Sequence, residues 1–204
     1  MPKKSRAEGQ WDRASHAYSH YEAYLNIKPK RHDLSFTDLV YVKNFKGGSA
    51  TIAEPMCKFA DKLSYYTKGI HDIALDPAGG SSLGILKETD YERIKNAIVG
   101  FATLPEQKVA DISGFGCSFA SALLHFHFPL LVPILDKRAL NGSDLKGLTV
   151  DKQGNVTNLL ELYPALIDYF RSRLKKDSQL KLRDLDRELF IKKLKTPPFP
   201  LKER

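Results

Sequence analysis

The sequence predicts an all-α protein, and three features carry this prediction. Apolar residues recur at helical spacing in several segments, sustained period-two alternation is missing from the chain, and glycine- or proline-rich stretches separate the segments. With 204 residues, of which 42% are hydrophobic, the chain can bury a core without disulfides or metals. We therefore expect one compact helical domain or two small lobes sharing an interface.

The predicted helices follow one another with clear boundaries. They cover residues 11–26, 35–45, 55–66, 89–101, 105–112, 117–126, 159–174 and 182–194. Ser35 and Thr89 each begin a capping-box-like motif, and Pro55 suits a first helical turn. The organisation expected from this pattern is a flexible segment at 1–10, a domain at 11–195 with its hairpin at 105–127, and a proline-rich tail at 196–204.

Charge and cysteine content narrow the classes of function. The formal net charge is +8, from 32 Lys and Arg against 24 Asp and Glu, which favours a polyanionic partner, although lysine-rich solvated faces explain the same excess. Cys57 and Cys117 show no ligand spacing, which argues against an iron–sulfur cluster or a structural zinc. No apolar run is long enough to span a membrane, and the first residues do not resemble a secretory signal, so we expect a cytoplasmic protein.

The segment from Pro105 onwards carries the most specific pattern. A short predicted helix leads into Ser113-Gly114-Phe115-Gly116, and the helix-like CSFASALLHF follows at once. Two glycines two positions apart suit a tight hairpin that needs unusual backbone angles. The backbone N–H groups at the start of the second helix are then accessible to a phosphate, because no side chain covers them. A purely structural glycine turn between helices explains the same residues.

The flanks of this turn extend the pattern to residues 106–140, EQKVADISGFGCSFASALLHFHFPLLVPILDKRAL. This stretch resembles the core of the helix-hairpin-helix DNA glycosylase superfamily, in which a glycine hairpin, a helix and an apolar stretch lead to an aspartate. Asp136 follows Ser118 by eighteen residues, the spacing of the family's aspartate from its hairpin position. Pro133 to Asp136 resembles adenine-mismatch glycosylases, and the chain is also similar to uncharacterised bacterial members.

The resemblance implies a two-lobed helical fold and a set of site residues. Asp136 would be the catalytic carboxylate, and Ser118 stands where the enzymes that also cleave the strand have lysine, so lyase activity is not expected. The predicted contacts to double-stranded DNA come from six residues: Gly114, Phe115, Gly116, Cys117, Ser118 and Lys108. The resemblance also implies a potassium or sodium ion held by the carbonyls of Ala110, Ile112 and Phe115, and a nucleoid-associated location if the protein is bacterial.

Several of these residues have ordinary structural explanations beside the functional ones. Asp136 is well placed to cap the helix that begins at Lys137. His125 and His127 lie two apart on a helix, on different faces, and are expected to be packed or surface-exposed rather than to bind a metal. Lys43, Lys46 and the loop at 47–49 are candidate contacts to the DNA strand opposite the hairpin, and a solvated face explains the lysines equally well.

Three hypotheses remain open on the sequence. The first is a monofunctional DNA glycosylase of base excision repair, which binds duplex DNA through the hairpin and uses Asp136 to excise a damaged or mismatched base. The second is a non-catalytic helix-hairpin-helix protein that binds DNA alone. The third is a helical protein-interaction module, because a shared fold does not fix a function.

Overall fold

The computed structural model describes residues 5–47, 52, 54–152 and 156–192, and in these ranges it contains helices and no β-strand. The α-helices are α1 (Arg6–Ile27), α2 (Phe36–Lys46), α3 (Met56–Leu75), α4 (Glu88–Ala102), α5 (Cys117–His127), α6 (Lys137–Gly142), α7 (Leu159–Lys176) and α8 (Leu182–Ile191). Two short 3-10 turns span Leu83–Ile85 and Leu104–Glu106. The all-α prediction is confirmed. No helix in these ranges is long and apolar enough to cross a membrane.

Local capping explains where the first helices begin. Helix α1 begins at Arg6, ahead of the apolar pattern, because Ser5 and Glu8 form a capping box. At α2 the carboxylate of Asp38 accepts hydrogen bonds from the backbone N–H and the hydroxyl of Ser35, as the sequence predicted. The capping box predicted at Thr89 is wrong, because α4 begins at Glu88 and its N-cap is Lys87. The predicted tail 196–204 lies outside the described residues.

The first arm of the predicted hairpin differs from expectation. Residues 105–112 were predicted to form a helix, whereas the structure has a 3-10 turn at Leu104–Glu106 followed by irregular turns. Gln107 takes an extended conformation directly after the turn and ends it. The second arm, α5, is a regular helix. The two-lobed arrangement implied by the resemblance stays a prediction.

Helix α5 lies at the centre of the core, and every residue from Ala120 to His127 is buried. The chain that follows it, residues 128–135, is also mostly buried but irregular, so its backbone polar groups need partners from side chains. Four side chains of α5 and α7 provide them: His125 bonds to the Val132 carbonyl, Tyr163 to the Pro133 carbonyl, Ser121 to the Leu135 N–H, and Ser118 to the Leu135 carbonyl. These bonds fix the segment that ends at Asp136.

Helix α1 packs against α2 and α8, and α6 packs against α8. The contact between α6 and α8 is close because of Gly142: a Cβ atom there would lie 2.4 Å from the Leu189 carbonyl oxygen. Only glycine allows α6 to approach the backbone of α8 in this way. The position of α6, which Asp136 caps, therefore depends on this residue.

We expect Gly142→Ala to lower the free energy of unfolding by on the order of 1–3 kcal/mol, because the methyl group overlaps with the α8 backbone. Denaturant unfolding followed by circular dichroism measures this change. Gly100→Ala is the control, since a Cβ at Gly100 meets nothing within 4 Å and alanine is the better helix former in α4. Equal stabilities of the two variants would contradict the close α6–α8 contact.

Candidate active site and nucleic-acid interface

A cavity of about 650 Å³ opens between α1, the end of α2, the start of α6, and α8. Its lining includes Asp136 together with four cationic side chains, Arg13, Lys46, Arg138 and Arg183. Asp186 is the second carboxylate of the lining. The size lies in the range of small-molecule sites, and the excess of positive charge suits an anionic or acceptor-rich ligand.

Asp136 caps α6 and also takes part in an ion pair inside the cavity. One carboxylate oxygen accepts the backbone N–H of Arg138 at 2.8 Å, which confirms the predicted N-cap. The other lies 2.6 Å from the ammonium nitrogen of Lys46. A quarter of the Asp136 side chain stays exposed to the cavity, so the carboxylate remains accessible to a ligand.

Helix α8 brings a second ion pair to the cavity. Arg183 donates to Asp186 at 2.5 Å, and only 6% of the Asp186 side chain is exposed. The Arg183 guanidinium lies 3.9 Å from the ring centroid of Trp11 and 4.6 Å from that of Tyr18. Phe45 contributes a third ring at 5.3 Å. Cation–π contacts with three rings hold this guanidinium in a defined position.

The two carboxylates have pKa values displaced in opposite directions. Burial raises the pKa of Asp186 to about 6, and the nearby Asp136 charge adds to the rise against the opposing effect of Arg183. Burial would also raise the pKa of Asp136, but Lys46 and the Arg138 N–H outweigh it, and the pKa lies below its ordinary value. Near neutral pH, Asp136 is therefore ionised and Asp186 is the group close to its titration point.

Two of the three arginines that line the cavity, Arg138 and Arg183, have side-chain donors without a hydrogen-bond partner in the described part of the chain. Nη1 of Arg138 and Nη2 of Arg183 are buried and find no hydrogen-bond partner among the described residues. Buried donors normally have one. Arg138 is otherwise held by the Gln10 side chain and by the ring of Phe190, whose centroid lies 4.4 Å from the guanidinium carbon. Within the described ranges, both nitrogens are therefore unsatisfied donors on side chains that line the cavity.

Both glycines of the hairpin are exposed, but their backbone conformations differ. Gly114 has a positive φ of 80°, whereas Gly116 has φ −82°, an angle that any residue adopts. The prediction that both need unusual backbone angles is wrong for Gly116. Gly116 is instead the N-cap of α5, exposed, with open space where a Cβ would lie. No side chain therefore projects from Gly116 at the N-terminus of α5, where helix N–H groups lack intrahelical partners.

The remaining predicted DNA contacts divide into exposed and buried residues. Lys108 is exposed near the hairpin, and Cys117 is half-buried at the start of α5. The Phe115 side chain is 2% exposed and packs against Tyr66 and Phe119, so only its backbone is accessible.

Ser118 lies outside the cavity lining, and its hydroxyl donates to the Leu135 carbonyl at 2.7 Å. It therefore connects α5 to the residue before Asp136 and positions that aspartate. His125 and His127 are both buried, which decides between the packed and the surface-exposed alternatives. Burial lowers the pKa of His125 to about 3, so the ring is neutral.

Two of the three carbonyls predicted to hold a monovalent cation already accept hydrogen bonds. Tyr66 donates to Ala110 at 2.9 Å, and the Phe115 N–H donates to Ile112 at 2.9 Å. Each carbonyl oxygen keeps a second lone pair, so these bonds are compatible with an ion, and the cation stays a prediction. Within the described ranges, no group of three or more His, Cys, Asp or Glu side chains is placed to bind a metal.

The residues that the sequence did not assign to this cavity are Lys46, Arg183 and Asp186, although it offered Lys46 as a contact to the opposite DNA strand. A signal for Asp186 was present, because it occupies the apolar face of α8 with Leu182 and Leu189, where a charge is unusual. Lys46 gave no such signal, since it ends a helix beside glycines.

Comparisons with protein-family models, curated proteins and solved structures each gave no match to this chain.

We expect the stability of the wild type to fall, relative to Asp186→Asn, as the pH rises from about 4 to about 7. The folded chain holds the Asp186 proton more tightly than the unfolded chain, so folding is favoured while Asp186 is protonated and disfavoured once it ionises. The difference should change by on the order of 2 kcal/mol across this range.

Urea unfolding at several pH values measures this difference. Asp184→Asn is the matched control, because Asp184 is an exposed carboxylate on the same helix. A difference in the free energy of unfolding between the wild type and Asp186→Asn that does not vary with pH would contradict the raised pKa of Asp186.

Proposed function

We propose that this chain is a DNA N-glycosylase that binds duplex DNA through the hairpin and excises a base using Asp136. The observation that carries the proposal is an accessible, ionised aspartate in an open cavity, at the position where the resembling enzymes have their catalytic aspartate. An aspartate that served only as a helix cap would not require a cavity beside it.

The connection between the hairpin and the cavity supports this proposal. The first turn of α5 provides the accessible N–H groups, and the same turn holds the backbone next to Asp136 through Ser118 and Ser121. A phosphate bound at the start of α5 would therefore stand at a fixed distance from the carboxylate. Binding of the backbone at one point and chemistry at another is what excision from a duplex needs.

The charge distribution supports an extrahelical nucleotide as the ligand. Exposed Arg13 lies on the cavity side of α1 with His16 and His20, and Arg138 and Arg183 line the cavity. The charge of Arg13 at the entrance attracts the phosphates, and arginine side chains of the lining suit the carbonyl or ring-nitrogen acceptors of a base.

In the proposed reaction the bond between C1′ and the base nitrogen breaks, and the base leaves with the electron pair and takes up a proton. Positive charge develops on the deoxyribose ring, where the Asp136 carboxylate stabilises it. Water then adds to C1′ and loses a proton, which leaves an abasic site.

We expect Asp136→Asn to reduce base release by at least about 100-fold while leaving the fold intact, because asparagine caps a helix as well as aspartate but carries no charge. The assay incubates the protein with duplexes that contain uracil, alkylated, oxidised or mismatched bases, and then reveals abasic sites with hot alkali. Asp184→Asn should retain wild-type activity.

Salt-sensitive binding without product across this panel would identify a non-catalytic DNA-binding protein. Absence of salt-sensitive binding would favour the third hypothesis, a helical protein-interaction module.

We expect Gly116→Ala to fold like the wild type and to bind duplex DNA more weakly. The added methyl group meets no protein atom within 4 Å but occupies the space that a phosphate needs in front of α5. Fluorescence anisotropy at several salt concentrations gives the affinity, and Gly80→Ala is the control, since its Cβ also meets nothing within 4 Å. Equal affinities of the two variants would argue against the hairpin as the phosphate site.

A further inference from the structure

We propose that Lys46 is a second reactive group of this cavity, an amine that forms a Schiff base with the aldehyde of an abasic site and so gives the protein strand-cleaving lyase activity. The inference rests on the proposed function, since it places the abasic C1′ beside Asp136. Ser118 led us to expect no lyase activity, because it occupies the position where the strand-cleaving enzymes have lysine. The amine proposed here lies at a different position.

The position of Lys46 carries the inference. It is the last residue of α2, and Gly47, with φ 68°, turns the chain away immediately after it. The Lys46 side chain is 10% exposed and points to the cavity, with its nitrogen 2.6 Å from Asp136. A sugar carbon placed against the Asp136 carboxylate is therefore within reach of this amine.

The simpler explanation is that Lys46 only neutralises Asp136. Arginine would do so as well, and two other sites of this cavity do use arginine, Arg138 and Arg183. Lysine differs from arginine in that its nitrogen loses a proton readily and then acts as a nucleophile. A lysine held against a carboxylate in a cavity has both the reactive atom and an acceptor for its proton.

The reaction balances with the groups present and one water molecule. The Lys46 ammonium passes a proton to Asp136, and the free amine adds to the C1′ aldehyde. Asp136 returns the proton to the resulting hydroxyl, which leaves as water, and the C1′=N iminium forms.

Asp136 next removes a proton from C2′, and the electron pair left on C2′ expels the 3′-phosphate as the C3′–O bond breaks. Water finally adds to C1′ and releases Lys46 with an unsaturated aldehyde on the cut strand.

The test uses the full chain and a duplex with an abasic site made by enzymatic removal of uracil, so it does not depend on knowing the natural lesion. Borohydride reduces the C1′=N iminium to a stable amine and links protein to DNA. The linked product is measured on a denaturing gel, and mass spectrometry of its peptides locates the modified lysine. A duplex with tetrahydrofuran in place of the abasic sugar has no aldehyde and measures binding alone.

Two variants distinguish a nucleophilic role of Lys46 from a purely electrostatic one. Lys46→Arg keeps the positive charge beside Asp136 but has no amine that forms a Schiff base, and Lys43→Ala removes a lysine one turn earlier on α2 that does not line the cavity. We expect linkage on Lys46 in the wild type, loss of linkage to background in Lys46→Arg, and full linkage in Lys43→Ala. Binding of the tetrahydrofuran duplex should stay within about threefold in both variants.

Other outcomes overturn the proposal in distinguishable ways. Linkage that persists in Lys46→Arg, or that maps to another amine, excludes Lys46 as the nucleophile. Binding of the tetrahydrofuran duplex without any linkage excludes the lyase step and leaves the proposed glycosylase standing. Failure of the wild type to bind either duplex overturns the proposed function and the lyase step together.

Discussion

The structure depends on how the buried, irregular segment 128–135 satisfies its backbone. A buried N–H or carbonyl without a partner costs on the order of 1–3 kcal/mol, and this segment forms no regular helix or strand that would pair them. Backbone bonds pair the groups at its start, and four side chains pair groups of Val132, Pro133 and Leu135: Ser118, Ser121, His125 and Tyr163. Because three of these belong to α5, the helix that begins at the hairpin also fixes Asp136. One set of hydrogen bonds thus connects the proposed phosphate site to the proposed reaction site.

A second constraint on the structure is that buried charges need partners of opposite charge, and the side chains of the cavity meet it. Asp136 is paired with Lys46 and with a helix N-terminus, and it stays ionised. Asp186 is more deeply buried, with Arg183 as its cation, and its pKa rises. Carboxylates held in such different states in one cavity are arranged for different tasks. The arrangement requires four elements that are distant in sequence, α1, α2, α6 and α8.

The two proposals use this cavity for successive steps. Base release needs the charge of Asp136, and strand cleavage needs the amine of Lys46, and one ion pair holds both. The pairing has a chemical consequence, because Lys46 helps to hold the pKa of Asp136 below its ordinary value. Ser118 then has a positioning role that a lysine side chain would not perform, since its hydroxyl is short enough to bond the Leu135 carbonyl.

The sequence by itself determined the all-α class, most helix positions and the N-cap role of Asp136, because these follow from local periodicity and capping. It did not determine the irregular first arm of the hairpin, where proline and turn geometry overrode the apolar spacing. Lys46, Arg183 and Asp186 were decided only by the tertiary structure. Their roles arise from burial and from contacts with residues that are distant in sequence. A local sequence pattern does not indicate which charged side chains will line the same cavity.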